Sequence, residues 1–385
     1  MSEFIPYGRQ TVTEEDISTV AETLRSAFLT TGPAVTGFEK AFNSQLGCKH
    51  SIAVNSATAG LHVSYLALGL GEGDVLWTAP NTFLSTANAA RLCGADVDFV
   101  DIDPNTFNMC ADTLEKKLKS ADKLPKIVAP VHFAGQPCDM EKIWALSQEY
   151  GFYVVEDAAH AVGAIYKDQP AANGRHSHAA VLSFHPVKII TTGEGGLIAT
   201  NDADIAERCR KFRSHGMEKT PEIMAEHGNW YYAMDEVGLN YRLTDIQAAL
   251  GTSQLSRLDE NIARRKEIAA RYHDALAGLP FKFQQAQAGA ESSWHLFVIT
   301  CQSSAERRAL YEYFHKNNVG VQVHYIPVHT QPYYQGLGFK KGDFPNAEAY
   351  YDRCLSIPMF HGLTDRQQER VIGLLENFSR LQKTA

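Results

Sequence analysis

The 385-residue chain holds 36 Lys+Arg against 44 Asp+Glu, a net charge of −8, with 44% hydrophobic and 21% charged residues. That length suits two domains of about 100–200 residues each with a full core, and the acidic balance argues against a nucleic-acid partner. Mean hydropathy is −0.25, and no apolar run approaches the roughly 20 residues that cross a bilayer, which argues against a membrane protein.

Thr13, followed by Glu14, Glu15 and Asp16, reads as an N-cap with an acidic first turn, so a helix is expected to about Ser26. From about residue 12 to 200, short β-branched runs alternate with helical stretches, the pattern of an α/β unit with a mostly parallel sheet. The expected strands are Ser51–Asn55, Val75–Ala79, Val97–Ile102, Ile127–Phe133, Phe152–Glu156, Ala180–Phe184 and Gly196–Thr200. Helices such as Thr58–Leu68 and Met140–Tyr150 lie between them. Leu243–Leu279 is amphipathic, with Ile246, Leu250, Leu255, Leu258, Ile262, Ile268 and Tyr272 near helical spacing. It is expected as one long connecting helix. The remainder reads as α+β: strand Leu296–Thr300, helix Ala305–Asn317, strand Val319–His324 and a final helix Thr364–Gln382. The expected division is a large domain over 1–250, then the connecting helix and a small domain over 251–385.

Seven cysteines (Cys48, Cys93, Cys110, Cys138, Cys209, Cys301, Cys354) are scattered, odd in number and free of any CxxC pair. That usage points to reduced thiols, and MSEFIPYGRQ lacks the basic and apolar regions of an export signal, so a cytoplasmic location is expected. His176 and His178 sit in an apparent loop, and none of the fifteen histidines falls in a carboxylate–histidine array with zinc-ligand spacing. No GxGxxG follows an early strand, and GxxxxGK[ST] and GxSxG are absent, so dinucleotide, P-loop and hydrolase readings lack support.

The strongest signal is SFHPVKIITTGEGG, Ser183 to Gly196. Lys188 follows a buried strand on a loop, and the Gly193-Glu194-Gly195-Gly196 turn lets backbone approach a ligand closely. A lysine amine kept neutral attacks carbonyls, and the aldehyde it most often meets is pyridoxal 5′-phosphate (PLP). On Lys188 alone, a surface lysine is the better reading; its partners change that. Asp157 ends an apolar strand, where open α/β sheets place ligands, and a buried carboxylate there calls for a cation such as the pyridinium nitrogen of PLP. The plain alternative is a cap for a following helix. His160 suits a place beside the cofactor ring or its 3-hydroxyl, or else a structural role. Ser56, Ala57 and Thr58 open a helix whose free N–H groups suit a phosphate, with the Ser183 hydroxyl nearby, although any N-cap looks the same. Phe83 is a candidate to stack on the ring face or an ordinary core residue.

With these residues in hand, the chain resembles the DegT/DnrJ/EryC1/StrS family of aminotransferases over nearly its whole length. The resemblance rests on FLTTGP (Phe28–Pro33), NSATAG (Asn55–Gly60), EDAAHA (Glu156–Ala161), SFHPVKIITTGEGG, RSHG (Arg213–Gly216), NYRLTDIQAALG (Asn240–Gly251) and VHYIPVHTQPYY (Val323–Tyr334). It implies the aspartate aminotransferase-like fold, PLP fold type I. That fold has a large domain with a mostly parallel seven-stranded sheet between helices and a smaller α+β C-terminal domain. It also implies that Lys188 forms the Schiff base with PLP, that Asp157 binds the pyridine nitrogen, and that Ala57, Thr58 and Ser183 hold the phosphate. Ala57 stands where the family often has glycine; main-chain N–H groups serve equally from alanine. Asn240 is implied to reach the phosphate of a neighbouring subunit, making a homodimer with shared active sites.

Within the family, VHYIPVHTQPYY and GFKKGDFPNAEAYY are most similar to members that aminate C4 of a UDP-linked 4-keto-6-deoxy-N-acetylhexosamine in pseudaminic acid synthesis. L-glutamate is the implied donor and 2-oxoglutarate its product, with PLP alternating with pyridoxamine 5′-phosphate (PMP). On that resemblance His324, Tyr325 and His329 line the sugar-nucleotide side, with Thr30 and Thr31 near it; interdomain packing is the plain alternative. Rival readings are the aminotransferase that makes UDP-4-amino-4-deoxy-L-arabinose, a C3 or dTDP-sugar enzyme, and a sugar dehydratase of the same fold. In the last, histidine replaces the lysine. A non-catalytic sugar-binding or regulatory protein is the reading from a different class.

Overall fold

Strands buried on both faces read as continuous apolar runs, because helices cover each side of a parallel sheet. In the computed structural model, which describes residues 3–384, all seven expected runs are strands. They are β1 (His50–Val54), β2 (Val75–Thr78), β3 (Asp96–Phe99), β4 (Ile127–Ala129), β5 (Tyr153–Asp157), β6 (Ala179–Ser183) and β7 (Gly196–Thr200). Their order across the sheet is β1-β7-β6-β5-β4-β2-β3. The pairs from β3 through β6 are parallel, whereas β7 is antiparallel to both β6 and β1. β4 is shorter than expected: Pro130 follows Ala129 and has no N–H for the ladder.

Seven helices flank this sheet or its edge: α1 (Glu14–Arg25), α2 (Pro33–Leu46), α3 (Ala57–Ala67), α4 (Leu84–Leu92), α5 (Ala111–Ser120), α6 (Met140–Tyr150) and α7 (Ala203–Arg213). Thr13 caps α1 through a reciprocal capping box with Asp16, as its sequence suggests. Alternate strand residues feed opposite cores. Ile52, Val54 and Val181 pack with α3, α4 and α7, while Ala53, Ala180 and Leu182 pack with Phe38 and Phe42 of α2. Further along that second face, Trp77, Val128 and Val154 meet α5 and α6.

The expected connecting helix is two helices, α8 (Asp245–Leu255) and α9 (Leu258–Leu276). Arg257 leaves the helical region at φ −108°, ψ 14°. Its guanidinium reaches the buried Asp16 carboxylate of α1 at 2.8 Å, which redirects the chain there. α8 packs on α1 and α2, and α9 packs on the last helix, α11 (Asp365–Thr384). Before it, α10 (Ser304–Lys316) covers a small antiparallel sheet of β8 (Lys282–Phe283), β9 (Phe297–Thr300) and β10 (Cys354–Ile357).

Val319–His324 is not a strand. It makes only isolated bridges, Val319 to Ile5 and Gln322 to Ser356. From there the chain crosses back over the large sheet, where Val328 and Tyr334 enter the core beside Phe99. Conversely, Ile5 packs in the C-terminal core with Tyr272, Phe297 and Val371. These two crossings bring Tyr7, His324 and Tyr325 to the carboxyl ends of β4, β5 and β6.

Candidate active site

A cavity of about 660 Å³ opens at those strand ends, the place where α/β sheets bind ligands. One wall is the start of α3. The Ser56 hydroxyl caps the helix by accepting from the Ala59 amide at 3.1 Å, which leaves the Ala57 and Thr58 amides at the cavity without an intrahelical acceptor. Ser183, at the end of β6, lies on the same cavity wall. β7 is held tightly against this helix start. A Cβ at Gly196 would lie 2.6 Å from the Ala57 amide nitrogen, so only glycine fits. The glycine therefore lets a strand, rather than a ligand, approach the cradle.

Asp157 ends β5 and is buried. Its Oδ2 accepts from the Thr86 hydroxyl at 2.6 Å and its Oδ1 from the Ala159 amide at 3.1 Å. Thr82 lies 2.8 Å behind Thr86, and both threonines are buried. Because Thr86 gives its proton to the carboxylate, Thr82 donates to Thr86. No helix follows Asp157, so the capping alternative falls away.

Lys188 lines the cavity from a loop that its own backbone closes. The Thr191 hydroxyl and the Thr192 amide both donate to the Phe184 carbonyl, and the Phe184 amide donates to Gly195. Burial pushes the Lys188 ammonium down to about 8, with the charge of Asp157 holding it partly up. A substantial share of neutral amine is thus present near physiological pH, as a nucleophile or base requires.

The facing wall is built from imidazoles and phenols. Tyr7, His160, His295, His324 and Tyr325 line it, and Phe83 stands at the mouth with its ring 6.1 Å from that of Tyr325. Burial pushes His160 and His295 well below the usual histidine range and His324 down to about 3, so all three are neutral. The His324 Nδ1 pairs with the Ser356 hydroxyl at 2.8 Å. The His295 Nδ1 has no partner among the described residues. An uncharged wall rich in hydroxyl and ring nitrogen suits a neutral, polyhydroxylated ligand.

Four of the expected residues are not brought into this cavity. Thr30, Thr31 and Asn240 are exposed; Thr30 bridges Thr244 and Asn240 bridges Ser214. His329 is 0% exposed and bonds Glu348 at 2.9 Å, wedged against Phe99 and Phe344. The expectation that His329 lines the sugar side is thereby corrected: it ties two parts of the fold together. Tyr7, Thr86 and His295, which sequence reasoning did not single out, are at the site or directly behind it.

The model of the DegT/DnrJ/EryC1/StrS aminotransferase family matches residues 10–376. The chain belongs to this family. It is 41% identical over 376 residues to the spore coat polysaccharide biosynthesis protein SpsC of Bacillus subtilis, covering 96% of this chain and 95% of that one. Among solved structures it is similar to Helicobacter pylori PseC, an aminotransferase involved in the biosynthesis of pseudoaminic acid. There the TM-score is 0.91 at 30% identity, over 98% of this chain and 100% of that one. Spr1654 of Streptococcus pneumoniae in its PMP form matches at a TM-score of 0.91 and 28% identity, over 98% of this chain and 99% of that one, and its PLP form matches at 0.90. The protein is a PLP-dependent sugar aminotransferase with the aspartate aminotransferase-like fold.

The DegT-family cavity fits its cofactor on its own chemistry. Two helix-start amides and the Ser183 hydroxyl suit the phosphate dianion, and a buried carboxylate bonded by Thr86 and Ala159 suits a cationic ring nitrogen. Lys188 offers a partly neutral amine in the same cavity. Bound PLP supplies the aldehyde that carries the amino group and a ring that accepts electrons in passing.

Proposed function

We propose that this aminotransferase moves the amino group of L-glutamate to C4 of a UDP-linked 4-keto-6-deoxy-N-acetylhexosamine, for an amino sugar of the pseudaminic acid type. It acts in the cytoplasm as a homodimer. The observation that carries the reading is Lys188 and Asp157 in one cavity opposite an uncharged wall of histidines and tyrosines, together with the similarity to PseC. In this reading Lys188 carries the cofactor and moves a proton to and from the carbon that bears the amino group. Asp157 keeps the ring nitrogen protonated, while Ala57, Thr58 and Ser183 hold the phosphate. Phe83 covers one ring face, and His160 sits at the ring edge. His324 and Tyr325 meet the sugar. A lysine rather than a histidine at position 188 favours amino transfer over dehydration.

Thr30, Thr31 and Asn240 serve the cavity of the second subunit. Their exposure, with the neighbouring Phe28 and Leu29 also exposed beside Thr30, supports a partner there. The 41% identity to SpsC favours a second reading, amination of another nucleotide-linked keto sugar for a surface polysaccharide.

The deciding experiment incubates the protein with PLP, L-glutamate and a panel of nucleotide-linked keto sugars, and reads product mass and amine position. Amination at C4 of the acetamido 4-keto-6-deoxy sugar is expected. Turnover of a different keto sugar alone overturns the substrate choice. Normal transamination by Lys188→Ala overturns the role of the lysine.

A further inference from the structure

The hydrogen bonds around Tyr325 fix where its proton points. The Nδ1 of His160 accepts from the Ala134 amide at 3.3 Å. A backbone amide is only a donor, so this nitrogen carries no proton. The single proton of the neutral imidazole therefore sits on Nε2. Nε2 lies 3.0 Å from the Tyr325 hydroxyl oxygen, so histidine donates and tyrosine accepts. The reverse direction would place a proton on Nδ1 facing the Ala134 N–H, donor against donor. The hydroxyl proton of Tyr325 must then point elsewhere. No other acceptor among the described residues takes it, and the side chain lines the cavity that holds Lys188 and Asp157.

We propose that Tyr325 is a hydrogen-bond donor to an oxygen acceptor bound in the cavity beside Lys188. That acceptor is an oxygen conjugated to the reacting group: the phenolic ring oxygen of the cofactor or the ketone oxygen of the sugar. The inference rests on the aminotransferase reading above and deepens it by giving Tyr325 a direction. His160 is a positioning residue here: its tautomer, set by the Ala134 amide, makes the tyrosine a donor rather than an acceptor.

The setting supports a donor that stays protonated. Burial raises the Tyr325 phenol above its usual range, with Asp157 and Tyr7 adding to the rise. The titratable groups around it are Tyr7, Asp157, His160, Lys188, His295 and His324, and the three histidines are neutral for the reasons given above. A buried O–H donor left without an acceptor is costly, so a bound oxygen there gains by meeting it.

The test uses Tyr325→Phe, which removes one oxygen and keeps the ring. The PLP-loaded variant is titrated with pH by its visible absorbance, and the glutamate and keto-sugar half-reactions are followed separately. A donor to the ring oxygen stabilises the deprotonated form. Its loss raises the pH midpoint by about one unit, the size of one hydrogen bond to a charged oxygen. A donor to the ketone oxygen leaves the midpoint and the glutamate half-reaction in place and lowers the sugar half-reaction about tenfold. Either result supports the assignment and names the acceptor; an unmoved midpoint with both half-reactions at wild-type rates overturns it. If Tyr325→Phe does not fold, 3-fluorotyrosine at position 325 gives a more acidic phenol. The midpoint is then expected to fall, or the sugar step to quicken, and no change in either overturns the proposal. Should no sugar of the panel react, the substrate reading fails while the absorbance titration still tests Tyr325.

Discussion

Thr86→Val replaces a hydroxyl by a methyl of similar size and takes away one of the two hydrogen bonds that hold the Asp157 carboxylate. The lost bond is short, 2.6 Å, lies in the core and ends on a carboxylate. Bonds of that kind contribute about 1.5–3 kcal/mol, so in the variant the carboxylate that faces the ring nitrogen is held by one bond fewer and in a less fixed position. A carboxylate set less firmly meets a cationic ring nitrogen less well, and PLP affinity should fall about tenfold. The assay is titration of the apoprotein with PLP, with Thr86→Ser as the conservative variant that keeps the hydroxyl. Wild-type affinity in Thr86→Val, or an equal loss in Thr86→Ser, would refute the argument from the hydroxyl.

Other predictions follow from the same geometry. Burial lowers the Lys188 ammonium to about 8, and the neutral amine is the reactive form. PLP capture by the apoprotein should therefore quicken as pH rises, levelling off above that value; a midpoint near the ordinary lysine value of 10.5 would contradict the burial argument. In Asp157→Asn the negative charge that raises this value is gone, so the midpoint should move lower. Gly196→Ala forces a Cβ within 2.6 Å of the Ala57 amide nitrogen. It should cost roughly 1–3 kcal/mol of stability and weaken cofactor binding, checked by melting and PLP titration; an unchanged protein would show that the cradle yields. His329→Gln disturbs a buried bond to Glu348 and should lower stability by about 1–3 kcal/mol, while KM for the sugar stays put. A raised KM with normal stability would return His329 to the sugar site.

The sequence carries the large sheet well because its inner strands are buried on both faces, so their apolar runs need no phase to be recognised, while edge strand β3 shows itself by alternation, with Val97 and Phe99 inward and Asp96 outward. Lys188 and Asp157 are legible for a related reason: each is a charged side chain placed at the end of such a run. Legibility fails where a role depends on what packs alongside. Val319–His324 alternates like a strand, yet it meets its neighbours only at single points, Val319 on Ile5 and Gln322 on Ser356 of β10, so no ladder forms along it. The break at Arg257 has no Gly or Pro to announce it, because its cause is Asp16, some 240 residues away. Thr86 looks like any threonine in a first helical turn until the sheet places it under Asp157. His329 shows the opposite error: a histidine five residues from His324 shares its motif but not its surroundings, and Phe99 and Glu348 decide its role.

Charge gives a separate reason to look beyond one chain. L-glutamate brings two carboxylates, and a nucleotide-linked sugar brings a diphosphate, whereas the cavity's described lining holds one lysine and no arginine. Asn240 and Arg242 stand on the adjoining surface segment, where Arg242 bridges Val54 at the end of β1. If that segment completes the site of the second subunit, Lys188 and Asn240 of any one site come from different chains. Lys188→Ala and Asn240→Asp homodimers are each expected to be inactive or nearly so. A hybrid of the two has one site that lacks both groups and one site that has both intact. Random exchange at equal amounts should therefore restore about a quarter of wild-type activity, since half the dimers are hybrids with one working site of two. The measurement is activity after unfolding and refolding the two variants together, against each refolded alone. No recovery in the mixture, with wild-type protein refolding normally, would place Asn240 in the cavity of its own chain or outside the site altogether.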